Sequence, residues 1–278
     1  MHCVLWVDPA FHNEHLHDCL PMIRLKPAFI QTHLFADTNR SDQILSALET
    51  SSATAPGIRD SVEKALAAQY PERLGIPLTA ADIGRLDERN GRRRYRALQW
   101  LSSAKRPPSP STVQLLLKAM ALDGDVQVRE FAARNMREIS GPSREIFEQL
   151  VKTVSTDTSL EVQREAAKSL AVLSAGANAA RMRSTVNLLK CMSKMPLRSL
   201  ETDAVIALAL IGLEKPAVRG AILEILRSED YALASRAAAV EVVLAFRAAH
   251  ADFDEAATTA RQIHRPPCAK TRSRDVAG

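Results

Sequence analysis

One apolar pattern returns four times along this chain, and it limits what the chain can fold into. Each copy has an apolar residue, a pair of small apolar residues after a gap of three, and two further apolar residues at gaps of two. The copies are Val128, Ala132, Ala133, Met136 and Ile139; then Val162, Ala166, Ala167, Leu170 and Leu173; then Leu200, Ala204, Val205, Leu208 and Ile211; then Ala234, Ala238, Ala239, Val242 and Ala245. They follow one another at 34, 38 and 34 residues, and a partial copy, Ala97, Leu98, Leu101 and Ala104, lies 35 residues upstream with Arg93 in its first position. These offsets line one face of a helix. A lone helix pair is too small to bury such a stripe, so four copies in one register imply pairs stacked on their neighbours. Paired alanines let those neighbours approach closely.

The fourteen prolines fall at the edges of helical segments or between them, where a missing N–H is tolerated. Between them the spacing predicts helices over 41–50, 58–70, 79–89, 92–104, 111–121, 126–140, 143–155, 159–174, 181–194, 198–212, 216–227, 231–248 and 252–264, the last opened by Asp252 and Glu255 as a capping-box-like pair. No stretch alternates in the manner of a strand. Aromatic residues make up 4% of a chain that is 46% hydrophobic, so the interior is built from Ala, Leu, Val and Ile, which suits closely packed helices.

The copies resemble HEAT repeats, which carry an Asp five residues before the first apolar position and an Arg just after it. Asp123, Val128 and Arg129 match in full; Asp157 and Val162 match with Gln163 in place of the Arg; Glu229 is followed by Ser235; Met195 and Glu201 replace both marks in the third copy; and Glu88 with Arg94 mark the partial copy. The resemblance covers roughly residues 79–250. It implies an all-α fold, an α-solenoid of about five HEAT-like helix pairs with extra N-terminal helices and a C-terminal capping helix. It also implies macromolecular recognition more than catalysis, an inference from fold class.

Residues 1–40 hold five of the seven histidines, together with Pro9, Pro21 and Pro27, and lack a period, so they read as a loosely ordered arm before a helical repeat domain at 41–264. Residues 265–278 read as a flexible basic tail. The net charge of +5 belongs largely to that tail, since residues 1–110 carry 14 basic and 12 acidic side chains, 111–260 carry 18 and 19, and 261–278 carry 5 and 1. Cys3, Cys19, Cys191 and Cys268 have neither zinc-knuckle nor disulfide-framework spacing. No apolar run reaches the roughly 18–20 residues of a membrane span, and the start lacks a secretory signal pattern. A cytoplasmic protein without membrane contact is expected.

His12, His15 and His17, with Cys3 and Cys19 nearby, are the one cluster resembling metal ligands, but no regular element is expected to hold them, and a solvated arm is the reading taken. P-loop, GxGxxG, GxSxG and HExxH motifs are all missing. No catalytic residue, cofactor or metal is assigned. Nothing here carries across the bilin lyase or base-excision glycosylase activity of proteins with similar repeats.

The second helix of each pair would form one wall of the stack, and its outward positions change character along the chain. Early copies offer a basic face of Arg92, Arg94, Tyr95, Arg96, Arg134, Arg137, Arg164 and Lys168; late copies offer the apolar Ile206, Leu210, Val240, Val243 and Leu244. Residues 85–106 carry eight basic and two acidic groups, enough to neutralise backbone phosphates. The function expected is a non-enzymatic scaffold or adaptor binding a protein partner, with the apolar set as its contact. The alternative is a nucleic-acid-binding repeat protein using the arginine face.

Overall fold

The computed structural model describes residues 25–36, 38–50, 56–103, 108–139, 143–194 and 200–247. Every regular element among them is helical: α1 (Pro27–His33), α2 (Thr38–Thr50), α3 (Pro56–Ala67), α4 (Ala80–Arg85), α5 (Glu88–Ser103), α6 (Pro110–Leu122), α7 (Val126–Asn135) with a 3₁₀ turn at Met136–Glu138, α8 (Arg144–Thr156), α9 (Leu160–Ala175), α10 (Ala179–Lys194), α11 (Leu200–Ile211), α12 (Pro216–Arg227) and α13 (Leu233–Arg247). The fold is all-α. The expected helix at 252–264, the basic tail at 265–278 and the histidine cluster lie outside the described residues.

The expected arm needs a correction at its end, because α1 lies within 1–40. Pro27 occupies its first turn, and Ile30 and Leu34, four residues apart, are wholly buried. Seven residues are too few to establish a period in sequence, yet with Leu34 at the C-cap they bury two side chains on one face.

The chain divides into two compact units, Met1–Ser169 and Leu170–Gly278, the division falling within α9. In the first unit α3 packs on α6 and α6 on α8, while α2 packs on α5 and α5 on α7; α3 also meets α5, and α6 meets α7. These contacts make two layers of helices joined pair by pair. Side chains bonded to backbone tie helices together within a layer, where Trp100 donates to the Leu48 carbonyl at 3.1 Å and Ser169 to Ala133 at 2.6 Å, and across the layers, where Arg59 donates to Leu101 at 3.3 Å. The second unit repeats the scheme, with α10 on α12, α11 on α13, and cross-contacts of α10 with α11 and α12 with α13.

The first two full copies of the repeat are buried at all five positions, and so is the third; Ala133, Ala167 and Val205 have no exposed surface. The fourth copy departs. In α13, Ala234 and Ala245 are exposed and Val242 half-buried, whereas Ser235, Ala239 and Val243 are buried. The buried stripe is rotated by one residue. The Ala- and Val-rich run at 237–245 offers apolar residues on more than one face, so packing against α11 and α12 selects the rotation rather than the local pattern.

Gly91 marks the closest approach in the first unit. It is buried in α5 beside the turn between α6 and α7, and a Cβ built there would meet the Asp125 carboxylate and lie 2.8 Å from Asp125 Cβ. Asp125 cannot retreat, because its side chain caps α7 by accepting from Gln127 N at 2.8 Å. Gly91→Ala is therefore expected to lower stability by about 1–3 kcal/mol through overpacking. Gly84→Ala, in open space in α4, is expected to be neutral or slightly stabilising. Urea titrations of the two variants followed by circular dichroism compare them directly.

Candidate functional site

In α5, α7 and α9 the side chains after the first position of the repeat form a ladder. Arg94, with no exposed surface, donates from Nε to Asp123 Oδ2 and from an Nη to Asp123 Oδ1, both at 2.7 Å. Its other N–H groups reach the carbonyls of Arg85, Leu86 and Asp87 at 3.0–3.2 Å. All five guanidinium donors are thus used. Asp123 also accepts from Tyr70 Oη at 2.7 Å and from Asp125 N at 2.9 Å, which occupies both of its oxygens twice. Burial alone would disfavour the Arg94 charge, but Asp123 more than offsets it and the guanidinium is held more firmly protonated than usual. Burial first, and then Asp123, push the Tyr70 hydroxyl well above its ordinary range.

One repeat on, Arg129 donates to Asp157 at 2.9 and 3.1 Å and to the Asp123 and Gly124 carbonyls at 2.9 and 3.2 Å. Each Arg binds the carbonyls of its own turn and the carboxylate of the next repeat. Gln163 keeps the first contact, donating to the Asp157 carbonyl. A cleft of about 270 Å3 opens beside this second rung, lined among others by Arg129, Asp157, Gln149 and Lys152.

The expected basic face is mostly engaged. Arg94 is corrected from surface to core, since its length and five donors fit it to a wholly buried pair with Asp123. Arg96 is bound by Glu49 through two bonds of 2.8 and 2.9 Å. Tyr95 is half-buried, its ring edge-on to Phe131 with centroids 4.8 Å apart. Arg134 pairs with Glu130 and Glu165, Arg137 with Glu165, and Lys168 with Glu165 at 3.2 Å. Burial raises the Glu165 carboxyl, but Lys168, Arg137 and Arg134 together outweigh it and hold it below its ordinary value of 4.5. Arg164 is half-buried on the same helix, and Arg92 is exposed. The early wall is a mixed array of cations and carboxylates, not a basic track.

Of the expected apolar contact residues, Ile206, Leu210 and Leu244 are 41–44% exposed, whereas Val240 and Val243 are buried. The one-residue rotation of α13 carries both valines inward. Tyr70 and Gly91 were not foreseen as parts of the ladder; a Tyr 53 residues from its carboxylate partner has no local signal.

Among the described residues no group of three or more His, Cys, Asp or Glu is placed to hold a metal ion, and no helix is long and apolar enough to cross a membrane. The chain matches no protein-family model and no curated protein.

Arg94→Met leaves the Asp123 carboxylate buried without its countercharge and is expected to cost about 3–5 kcal/mol. Arg129→Gln reproduces the arrangement found at Gln163 and should cost about 1–2 kcal/mol, since one hydrogen bond to the turn survives. Equal losses for the two in chemical denaturation would contradict the unequal burial of the rungs. A second expectation concerns acid. The carboxyls of Glu165, Glu49 and Glu63 all lie lower in the folded chain than their ordinary 4.5. Their contribution to stability is complete above that value and disappears as pH falls through the lowered folded values. The melting temperature should drop steeply below about pH 4.5, and Glu165→Gln should flatten the drop.

Proposed function

We propose that this chain is a non-enzymatic scaffold, a stack of HEAT-like helix pairs that binds a protein partner in the cytoplasm. One observation carries the reading. Register-equivalent residues Gln99, Arg134 and Lys168 stand on three successive second helices, α5, α7 and α9, whose spacing is set by the buried Arg94–Asp123 and Arg129–Asp157 pairs. Rigidly spaced rows of side chains suit recognition of an extended macromolecular surface. In the second unit, the exposed Ile206, Leu210 and Leu244 supply the apolar contact such a scaffold requires.

The nucleic-acid alternative draws less support. A phosphate backbone needs cations free to replace condensed counterions. Here Arg94 is buried, Arg96 is bound to Glu49, and Arg134, Arg137 and Lys168 converge on Glu165. Affinity capture from native extract, with one half treated with nuclease, tests the proposal. Protein partners retained after digestion are the expected outcome; their loss on digestion would transfer the function to nucleic acid.

A further inference from the structure

Helix α10 carries Arg181, Arg183, Lys190 and Lys194 and no acidic residue in its sixteen positions. At 100° per residue, Arg183, Asn187, Lys190 and Lys194 fall on one stripe. Arg183, Asn187 and Lys194 are exposed along it, and Lys190 keeps about a quarter of its side chain in solvent, 23%. The adjoining α12 opposes this row with one carboxylate on its exposed face, Glu224, which pairs with Lys190 and accepts from Tyr231 Oη at 2.9 Å. Lys194 lies 4.9 Å over the Tyr231 ring, which fixes its position without neutralising it. The rest of that α12 face carries Arg227 one turn after Glu224 and small residues before it: Gly220 is exposed, with nothing within 4 Å of a Cβ built there, and the half-buried Ala217 stands one turn earlier.

The three cations follow one another at seven and four residues, about 10.5 and 6 Å along the axis. Those are the distances between same-face residues of another helix. Small side chains on α12 leave room for one to lie alongside, as in other cases of a helix seated in a groove. A nucleic-acid strand would need neither the helical spacing nor the open floor.

We propose that the α10 face of the second unit binds an acidic helix of a protein partner, its carboxylates spaced seven and four residues apart to meet Arg183, Lys190 and Lys194. The proposal rests on the scaffold reading and specifies the chemistry of the partner. Glu224 competes with the incoming carboxylates for Lys190.

The test is fluorescence anisotropy on the full chain with three labelled probes: an alanine-based helical peptide with glutamates at those spacings, the same composition with its glutamates distributed around the helix, and a single-stranded oligonucleotide of equal charge. The matched peptide should bind more tightly than both others, and less tightly as salt rises. Lys194→Ala and Arg183→Ala should each weaken it about two- to five-fold, the range of one exposed ion pair. Glu224→Gln should strengthen it. Circular-dichroism melts matching the parent chain establish that the variants are folded. Equal affinity for the two peptides, tighter binding of the oligonucleotide, or indifference to all three substitutions overturns the proposal. Failure here with nuclease-resistant partners still captured removes the acidic helix and leaves the scaffold; loss of capture on nuclease treatment removes the scaffold itself.

Discussion

The first unit depends on a single exchange of hydrogen bonds between Arg94 and Asp123. Removing two full charges from water is costly, and the cost is recovered only where every donor and lone pair finds a partner. Here each does. The guanidinium spans from one turn's carbonyls to the next repeat's carboxylate, and that carboxylate in turn fixes the turn preceding α7 through Asp125 N. Backbone, turn and neighbouring repeat are thereby held by one group. The Gly91 approach follows, because α5 comes close enough to Asp125 to exclude even a methyl group.

The same geometry governs the surface. Arginines in a second helix divide into those directed along the ladder and those directed outward, and sequence spacing alone does not separate them when they are adjacent. Within the run at 92–96, Arg94 is in the core, Arg93 is nearly so at 8% exposure, Arg96 is tied to Glu49, and Arg92 is in solvent. A run of four arginines therefore yields far less available charge than its composition suggests. The outer helix α10, whose cations are scattered over fourteen residues of sequence, presents a more uniformly positive stripe.

Much of the fold was legible in the residues. The period of the apolar stripe located twelve described helices, and in the first three full copies the face it marks is the buried one. The Asp and Arg marks were legible as residue types, but not as a linkage from one repeat to the next, since each pair closes over 28 or 29 residues. One element escaped and the buried face of another was misassigned, for opposite reasons. Helix α1 is too short to display a period. Helix α13 is so uniformly apolar that it displays several, and only its neighbours α11 and α12 decide which side faces in, moving Val240 and Val243 to the interior. The candidate site was least legible where it depended on which cation met which carboxylate, as at Glu165.

Gln163 gives the ladder an end. It holds its own turn as an arginine would, but its short neutral amide projects no charge onward, and Glu201 stands at the corresponding position of the next repeat, while the rotation of α13 brings Arg236 to that place in the last. The two rungs described, Arg94–Asp123 and Arg129–Asp157, both lie before the division at Ser169. Repeat arrays unfold according to the strength of each joint. A protein wired in this way has a built-in order of failure, in which the joints at Gln163 and Glu201 open before those closed by Arg94 and Arg129. Joint strength is thus graded along one continuous repeat pattern.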